Sequence, residues 1–208
     1  MNFSITIVNN SVEVYDFGGK KSEKSISYLN RAKNINETAE VFYDLGFSYY
    51  LNKDINKANE SYERCLSIDN LMASAHLNIS DFVAPVEAME HLDKAIELDN
   101  TMYQAYGKKG ELLRNIGLYS LAVRYFEKCL ELDKQNYQSL QGISLSLLDL
   151  GRAEEAIIYL AEWLKIYKSR IIPKDMSVGK STEISMPYGD VHINLSEGRA
   201  CIAVGCIM

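Results

Sequence analysis

The sequence predicts a mainly α-helical solenoid of stacked helical hairpins, with a short β-forming extension at each end. A pattern of apolar and small residues starts at Ala58, Ala88, Ala122 and Ala156, so it recurs after 30, 34 and 34 residues. Within each recurrence, apolar residues stand at positions i, i+4 and i+7, which is the stripe of an amphipathic helix. A fixed period of this length indicates supersecondary units that bury their apolar faces only by stacking on one another.

Composition places the chain among ordinary folded proteins and disfavours two classes of partner. Its 208 residues are 47% apolar and 24% charged, which suffices for a sizeable core. The net charge of −6 and the pI of about 5.2 argue against binding to nucleic acid or an anionic membrane, which requires a basic field. No apolar run approaches the ~18 residues of a membrane span, and the first residues do not resemble a signal peptide. Because the four cysteines are sparse, we expect a cytoplasmic protein; the oligomeric state is not indicated.

Residues 1–19 form the first predicted element, an N-terminal β-hairpin extension. Apolar residues alternate on both sides of a polar pair, as the two strands of a hairpin require, and two glycines follow. The residues concerned are Ile5, Ile7, Asn9, Asn10, Val12, Val14, Gly18 and Gly19.

The helical array is predicted over residues 20–168 and begins with a capping helix at residues 22–36. Ser25, Leu29, Ala32 and Ile35 repeat the spacing of a second helix 33 residues before the first full unit. Four units follow, at residues 39–72, 73–102, 103–136 and 137–168. Turns within them are expected near Asn52 and Lys53, near Ala84 and Pro85, at Gly117 and at Gly151.

The unit at residues 103–136 shows the pattern most completely. Tyr106 lies in its first helix, Gly110 stands where two helices cross, and Gly117 marks the turn. Ala122 and Phe126 follow in the second helix, which ends in Leu-Glu-Leu-Asp. This pattern closely resembles a tetratricopeptide repeat, and the resemblance covers residues 22–168. The matching residues elsewhere are Phe42, Leu45, Gly46, Tyr49, Ala58 and Tyr62 in the first unit, and Leu140, Ile143, Gly151, Ala156 and Leu160 in the fourth.

The second unit departs from the pattern. It is four residues shorter than the next unit, and Pro85 stands where its first helix should still continue. Proline removes a helical hydrogen bond and clashes with the preceding turn. We therefore expect this helix to end at about Ala84, and the stacking to be less regular around residues 82–86.

Residues 169–208 form a predicted C-terminal extension with short β-strands. Proline and glycine interrupt the chain after Lys168, and the runs at residues 191–195 and 201–207 suggest two strands joined near residues 196–198. An isolated hairpin is only marginally stable in water. The extension could pack on the array, pair with the N-terminal hairpin, or fill the groove in place of a partner.

In tetratricopeptide repeat proteins, the first helices of successive units line a concave groove that takes peptides or helices. The resemblance implies such a groove here, with rings that supply contact area and amides that can bond a peptide backbone. Its residues would be Tyr43, Phe47, Tyr50, Asn78, Asp81, Gln104, Lys108, Glu111, Arg114, Gln138, Gln141 and Leu145. In the other interpretation, the chain's own ends cover some of these rings.

Two further site patterns are incomplete. Some relatives clamp the C-terminal carboxylates of chaperones, but only Asn78 and Lys108 fit that pattern, because Tyr43 and Phe47 hold the other positions. Residues 179–181 are similar to the end of a phosphate-binding loop, yet the earlier glycine of that motif is missing. We expect neither site.

The cysteines indicate no metal or redox site. Cys65 and Cys129 stand at small-residue core positions. Cys201 and Cys206 are five residues apart, which puts them on opposite faces of a strand. His192 stands alone, without the ligands that a zinc site needs. We expect no metal and no cofactor.

His76 and His91 have no matched carboxylate or nucleophile, so we interpret them as surface or groove residues, and we nominate no catalytic set. The predicted function is that of a non-catalytic adaptor, which binds a peptide or segment of a partner protein in the groove. One alternative is a regulatory or accessory subunit, such as an immunity, assembly or maturation factor, which acts through its β-forming ends. A further alternative is an enzyme that uses the C-terminal tail.

Overall fold

The computed structural model describes residues 22–171 without a gap, as a series of helices joined by turns, and it describes the side chains of residues 23–166. Near both ends of the chain it describes only the backbone of short strands. The chain divides into two compact units, residues 1–163 and 164–208. The helices are α1 (Ser22–Ile35), α2 (Ala39–Leu51), α3 (Ile55–Ile68), α4 (Ala73–Ile79), α5 (Pro85–Leu98), α6 (Tyr103–Asn115), α7 (Tyr119–Leu132), α8 (Tyr137–Asp149) and α9 (Ala153–Ile171). The predicted mainly helical array is confirmed. Its division into units at the stated residues stays a prediction.

The strands lie near the two chain ends. Within residues 1–163, β1 (Ile5–Val8) pairs antiparallel with β2 (Ser11–Val14). Within residues 164–208, β3 (Thr182–Met186), β4 (Gly189–Asn194) and β5 (Cys201–Val204) pair antiparallel in that order. The remainder of both extensions lies outside the described residues. The folding of the extensions as units, and the place where each one packs, therefore stay predictions.

The aspartate that follows the second helix of a repeat unit stabilises the turn after that helix. Asp69 and Asp99 each accept a hydrogen bond from the backbone N–H two residues later, at 2.9 Å. Asp133 does the same at 3.1 Å. Such a turn replaces helical hydrogen bonds as the chain leaves α3, α5 and α7. The aspartates therefore end the second helix of three successive units at equivalent points.

The turns inside three units require a left-handed backbone. Lys53 has φ of 63°, Gly117 has φ of 82° and Gly151 has φ of 73°. Glycine adopts this conformation without strain, which explains its use at two of the three positions. The turns lie where the sequence predicts them.

The second repeat unit, predicted at residues 73–102, differs from the prediction. Its first helix, α4, ends at Ile79 and has only 7 residues, rather than continuing to about Ala84. Pro85 occupies the first turn of α5, where its missing N–H costs nothing. The Ser80 hydroxyl donates to the Leu77 carbonyl at 2.6 Å, and the Phe82 N–H donates to the Ile79 carbonyl at 2.9 Å. Tight turns therefore take over several residues before the proline.

Small residues set the closest approaches between helices. The Phe126 ring of α7 is 1% exposed and packs against two glycines. A Cβ added at Gly110 would lie 2.7 Å from Phe126 Cδ1, and one added at Gly142 would lie 2.5 Å from Phe126 Cζ. Tyr62 packs in the same way over Gly46, with 2.7 Å to the Cε1 atom. These contacts need a residue without a side chain.

Ala122 tests the predicted core register. It is fully buried in the cluster that also contains Leu113, Phe126 and Ile143. We expect Ala122→Leu to lower the free energy of unfolding by about 1–3 kcal/mol, because the added carbons must displace packed neighbours. Urea denaturation measures this, and Leu121→Ala on the exposed side of α7 is the control. Unchanged stability of Ala122→Leu would contradict the register.

Candidate functional site

A polar contact joins the first helix of each unit, or the turn after it, to the first helix of the next unit. Asn78 Nδ2 of α4 donates to the Tyr43 hydroxyl of α2 at 3.3 Å. Lys108 of α6 forms an ion pair with Asp81, which follows α4. Arg114 Nη2 of α6 lies 3.6 Å from Asp149 Oδ2 of α8. We call the surface of α2, α4, α6 and α8, with the turn after α4, the first-helix face.

Aromatic rings occupy one end of the first-helix face. Phe82 stacks on Tyr62, with ring centroids 5.9 Å apart and an angle of 15° between planes. Tyr50 meets the same Phe82 ring edge-on at 6.0 Å, and Tyr43 lies 5.8 Å from Tyr62. Phe47 and Tyr50 nevertheless keep 40% and 45% of their surface exposed. This end therefore offers two solvent-facing rings, one of which, Tyr50, packs against the Phe82 ring.

Charged residues occupy the middle of the face. Lys108 and Arg114 are paired with Asp81 and Asp149, so both cations already have carboxylate partners. Glu111 is solvent-exposed. Its pKa is raised above the usual range, first because neighbouring protein withdraws water from the carboxyl and then because Asp81 repels its charge, while Lys108 acts in the opposite sense. A further cation near Glu111 would relieve this repulsion.

The far end of the face is polar and less charged. Gln104 and Gln138 are exposed, whereas Gln141 and Leu145 are half-buried. Amide side chains can both donate and accept hydrogen bonds. This end can therefore pair with the backbone of an extended chain without selecting a charge.

Comparison with known families agrees with this arrangement. The family model of the tetratricopeptide repeat matches residues 39–70 and 103–136. The chain contains tetratricopeptide repeats at these two segments. The two matched segments correspond to the helix pairs α2–α3 and α6–α7, which contain the glycine–aromatic contacts described above.

Solved structures with tetratricopeptide repeats share the fold. A crystal structure of MamA is 23% identical, has a TM-score of 0.64, and the match covers 75% of this chain and 97% of that one. A MamA structure from Desulfovibrio magneticus RS-1 is 14% identical with a TM-score of 0.65, covering 72% and 88%. YrrB, described as a TPR protein with an unusual peptide-binding site, is 18% identical with a TM-score of 0.62, covering 73% and 81%. No curated protein sequence matches the chain significantly.

The structure divides the predicted groove residues of this repeat protein into two kinds. Tyr43 and Asn78 direct polar groups toward each other, and Asn78 also donates to the Tyr62 hydroxyl at 3.2 Å. These two residues join repeats. Phe47, Tyr50, Glu111 and the exposed glutamines leave surface for a ligand. Whether they bind one stays a prediction. Phe82 and Asp149 also belong to the face, and the buried Tyr62 of α3 packs beneath it. All three were missed as site residues, because only the folded chain brings them together.

Two other expectations concern histidine and cysteine. The interpretation of His76 as a surface or groove residue is wrong: it is 8% exposed, and its Nδ1 lies 2.8 Å from Nδ1 of His91. Cys65 and Cys129 are fully buried as predicted, and burial raises the pKa of the Cys65 thiol to about 12. Such thiols are unreactive.

The described residues contain neither a metal-binding cluster nor a membrane-spanning helix. Among the described residues, no group of three or more His, Cys, Asp or Glu side chains is arranged to hold a metal ion. Within residues 22–171, no helix has the length and apolar character required to cross a bilayer. The side chains of Cys201, Cys206 and His192, and the segment 179–181, lie outside the described residues.

Asp44 of α2 provides a test of the electrostatics. Its pKa is raised from 3.8 to about 6, first because of burial and then because of Glu40. The folded state therefore binds more protons than the unfolded state across this window, so the Asp44 contribution to stability falls as pH rises through it. At pH 7 we expect Asp44→Asn to stabilise the protein by about 1 kcal/mol, after allowance for solvent screening of a partly exposed group.

The measurement for Asp44→Asn is thermal unfolding at neutral and acidic pH. The gain in melting temperature should shrink as pH falls from about 6, the pKa of folded Asp44, toward 3.8, its ordinary value, because the folded chain is protonated first and the unfolded chain later. Glu90→Gln, an exposed change on α5, removes the same charge and is the control. An equal gain from both variants would attribute the effect to net charge rather than to burial.

Proposed function

We propose that the protein is a non-catalytic adaptor whose first-helix face binds a segment of a partner protein. The observation that carries the proposal is the exposure of the Phe47 and Tyr50 rings, of which Tyr50 packs against Phe82. The packed side of α2 is already supplied by Phe42 and Leu45, which are buried. Exposed rings beyond those needed for packing are typical of the anchor positions in protein interfaces.

The charges on the face favour a basic segment. Lys108 and Arg114 are paired with carboxylates, whereas Glu111 forms no ion pair with another described side chain. A ligand cation near Glu111 would complement this charge and the net charge of −6 of the whole chain. We therefore propose a partner segment with an aromatic or aliphatic side chain for Phe47 and Tyr50, and a lysine or arginine for Glu111.

The polar end supports an extended ligand. Gln104 and Gln138 expose amides on successive first helices, and such amides can bond a peptide backbone. YrrB, which shares this fold, is described as having an unusual peptide-binding site, and this supports a peptide ligand here. A peptide running from the rings toward the glutamines would pass Glu111 on its way.

Selection of random peptides on the immobilised full-length chain tests the proposal. We expect enriched peptides to combine an apolar anchor with a basic residue. They should lose binding to Glu111→Lys, because the new charge repels their cation. Glu90→Lys on α5 makes the same charge change outside the face and is the control.

Two outcomes separate the parts of the proposal. Enriched peptides that bind the Phe47→Ala, Tyr50→Ala double variant as well as wild type would place binding elsewhere. Enriched peptides that are acidic would keep the face as the site but contradict the proposed charge.

The alternative function, a regulatory or accessory subunit acting through the β-forming ends, predicts that removal of residues 172–208 abolishes binding, whereas the groove function predicts that binding survives. The cytoplasmic location stays part of the proposal.

A further inference from the structure

A histidine pair joins the two helices of the second repeat. His76 of α4 and His91 of α5 have their Nδ1 atoms 2.8 Å apart and their ring centroids 5.1 Å apart. The Nε2 atom of His76 lies 3.1 Å from the backbone carbonyl oxygen of Asn70. Neither histidine belongs to the exposed surface proposed above for the ligand.

The hydrogen bonds determine where the protons are. A carbonyl oxygen can only accept, so His76 Nε2 carries a hydrogen and donates it to Asn70. Neutral His76 then has a bare Nδ1, which can only accept. His91 Nδ1 must therefore carry the hydrogen that joins the two rings at 2.8 Å. Neutral His91 is left with a bare Nε2, which lies 4.0 Å from Glu87 Oε1.

The two histidines consequently respond to acid in different ways. A first proton can enter His91 Nε2, where it faces Glu87 and leaves the bond between the rings intact. A second proton has to enter His76 Nδ1, which is the acceptor of that bond. Two N–H groups would then face each other, and the bond would be lost. Burial lowers the pKa of His76, the charges of His91 and Lys94 add to this, and the bond to Asn70 opposes it.

This pair is the polar contact that ties α4 to α5, beside the apolar packing of the buried Ala75 and Ile79. The helix has 7 residues and no side-chain hydrogen bond at its N-terminal cap, so its own hydrogen bonds hold it weakly. Asn78 of α4 and Asp81 just after it link the first repeat to the third, through Tyr43 and Lys108. A shift of α4 would therefore disturb both neighbouring contacts.

We propose that the His76–His91 pair is an acid-sensitive latch, which holds α4 against α5 and releases it when both rings are protonated. The groups that set its response are Glu87 and Lys94 from α5 and the Asn70 carbonyl from the turn before α4. The proposal is independent of whether the first-helix face binds a peptide.

Nuclear magnetic resonance of the full-length chain tests the latch directly. Long-range 1H–15N spectra of the imidazoles at about pH 7.5 should show His76 with its hydrogen on Nε2 and His91 with its hydrogen on Nδ1. On acidification, the backbone amides of Ala73–Ile79 should shift as His76 takes up its proton, while those of α8 stay unchanged. Hydrogens on Nε2 of both rings, or α4 amides that do not respond, would overturn the proposal.

A substitution gives an independent test. In His76→Gln, the amide nitrogen can donate to Asn70 and the amide oxygen can accept from His91, so both bonds survive without a titrating ring. Because the pKa of His76 is lowered in the folded state, its contribution is present above about pH 6.5 and is lost as pH falls below it. We expect His76→Gln to lose less melting temperature than wild type on acidification.

The control is His192→Gln, which removes the third histidine of the sequence. Asp44 titrates in the opposite sense but is present in every variant, so its effect cancels in the comparison. An acid response of His76→Gln equal to that of wild type would contradict the latch. If His76→Gln fails to fold, the tautomers and the α4 amides of the wild-type chain decide the question.

Discussion

Phe126→Ala is expected to lower the free energy of unfolding by about 3–5 kcal/mol, which is the largest effect that we anticipate from a single substitution. The ring is 1% exposed and belongs to the cluster with Leu113, Ile143 and Leu147. It also fills the space between Gly110 of α6 and Gly142 of α8. Removing it would open a cavity among three helices of two repeats, and glycines on both sides offer no side chain to fill it.

Equilibrium denaturation with urea measures this loss, and Phe47→Ala is the matched control because it removes an exposed ring from α2. The control should change the free energy of unfolding by less than about 1 kcal/mol. A Phe126→Ala variant as stable as Phe47→Ala would show that the two glycine contacts do not confine the ring. Loss of folding at ambient temperature would agree with the prediction, since domains of this size are only marginally stable.

Truncation of the two exposed rings should weaken peptide binding. We expect Phe47→Ala and Tyr50→Ala each to cost at least about 2 kcal/mol, or roughly 30-fold in affinity, if the rings anchor the ligand. Phe47 gives the cleaner result. Tyr50 also packs edge-on against Phe82 at 6.0 Å, so its removal should lower stability slightly.

Calorimetric titration with a selected peptide measures the affinity, and the melting temperature of each variant is recorded beside it. Tyr28→Ala removes an exposed ring from α1, outside the first-helix face, and should leave the affinity unchanged. Lower stability with unchanged affinity would make Phe47 and Tyr50 packing residues. The first-helix face would then no longer be the proposed binding site.

The outcome for α4 shows where sequence reasoning failed. Pro85 correctly indicated a break in the second repeat unit. A proline prevents the preceding helix from continuing through it, but it does not determine at which earlier residue that helix ends. Turns at Ser80 and Phe82 ended α4 at Ile79. Asn78, Ser80 and Asp81 favour a turn, but the prediction used Pro85 alone and therefore placed the end of the helix too late.

The sequence alone determined the repeat, the helices and most of the core. These features follow from local spacing: Ala58, Ala122 and Phe126 lie on helical stripes, and Gly117 and Gly151 supply the left-handed turns. Each property involves residues within one helix or one turn. A period of about 34 residues then repeats the same local solution along the chain.

Only the tertiary structure decided which side chains meet between helices. Asn78 bonds Tyr43, which is 35 residues away, and the Phe82 ring stacks on Tyr62. His76 of α4 contacts His91 of α5. Such contacts depend on how far one helix is rotated and shifted against the next, and a few ångströms decide whether a polar group is satisfied or exposed. Spacing along the chain places residues on a face, whereas packing between helices selects their partners.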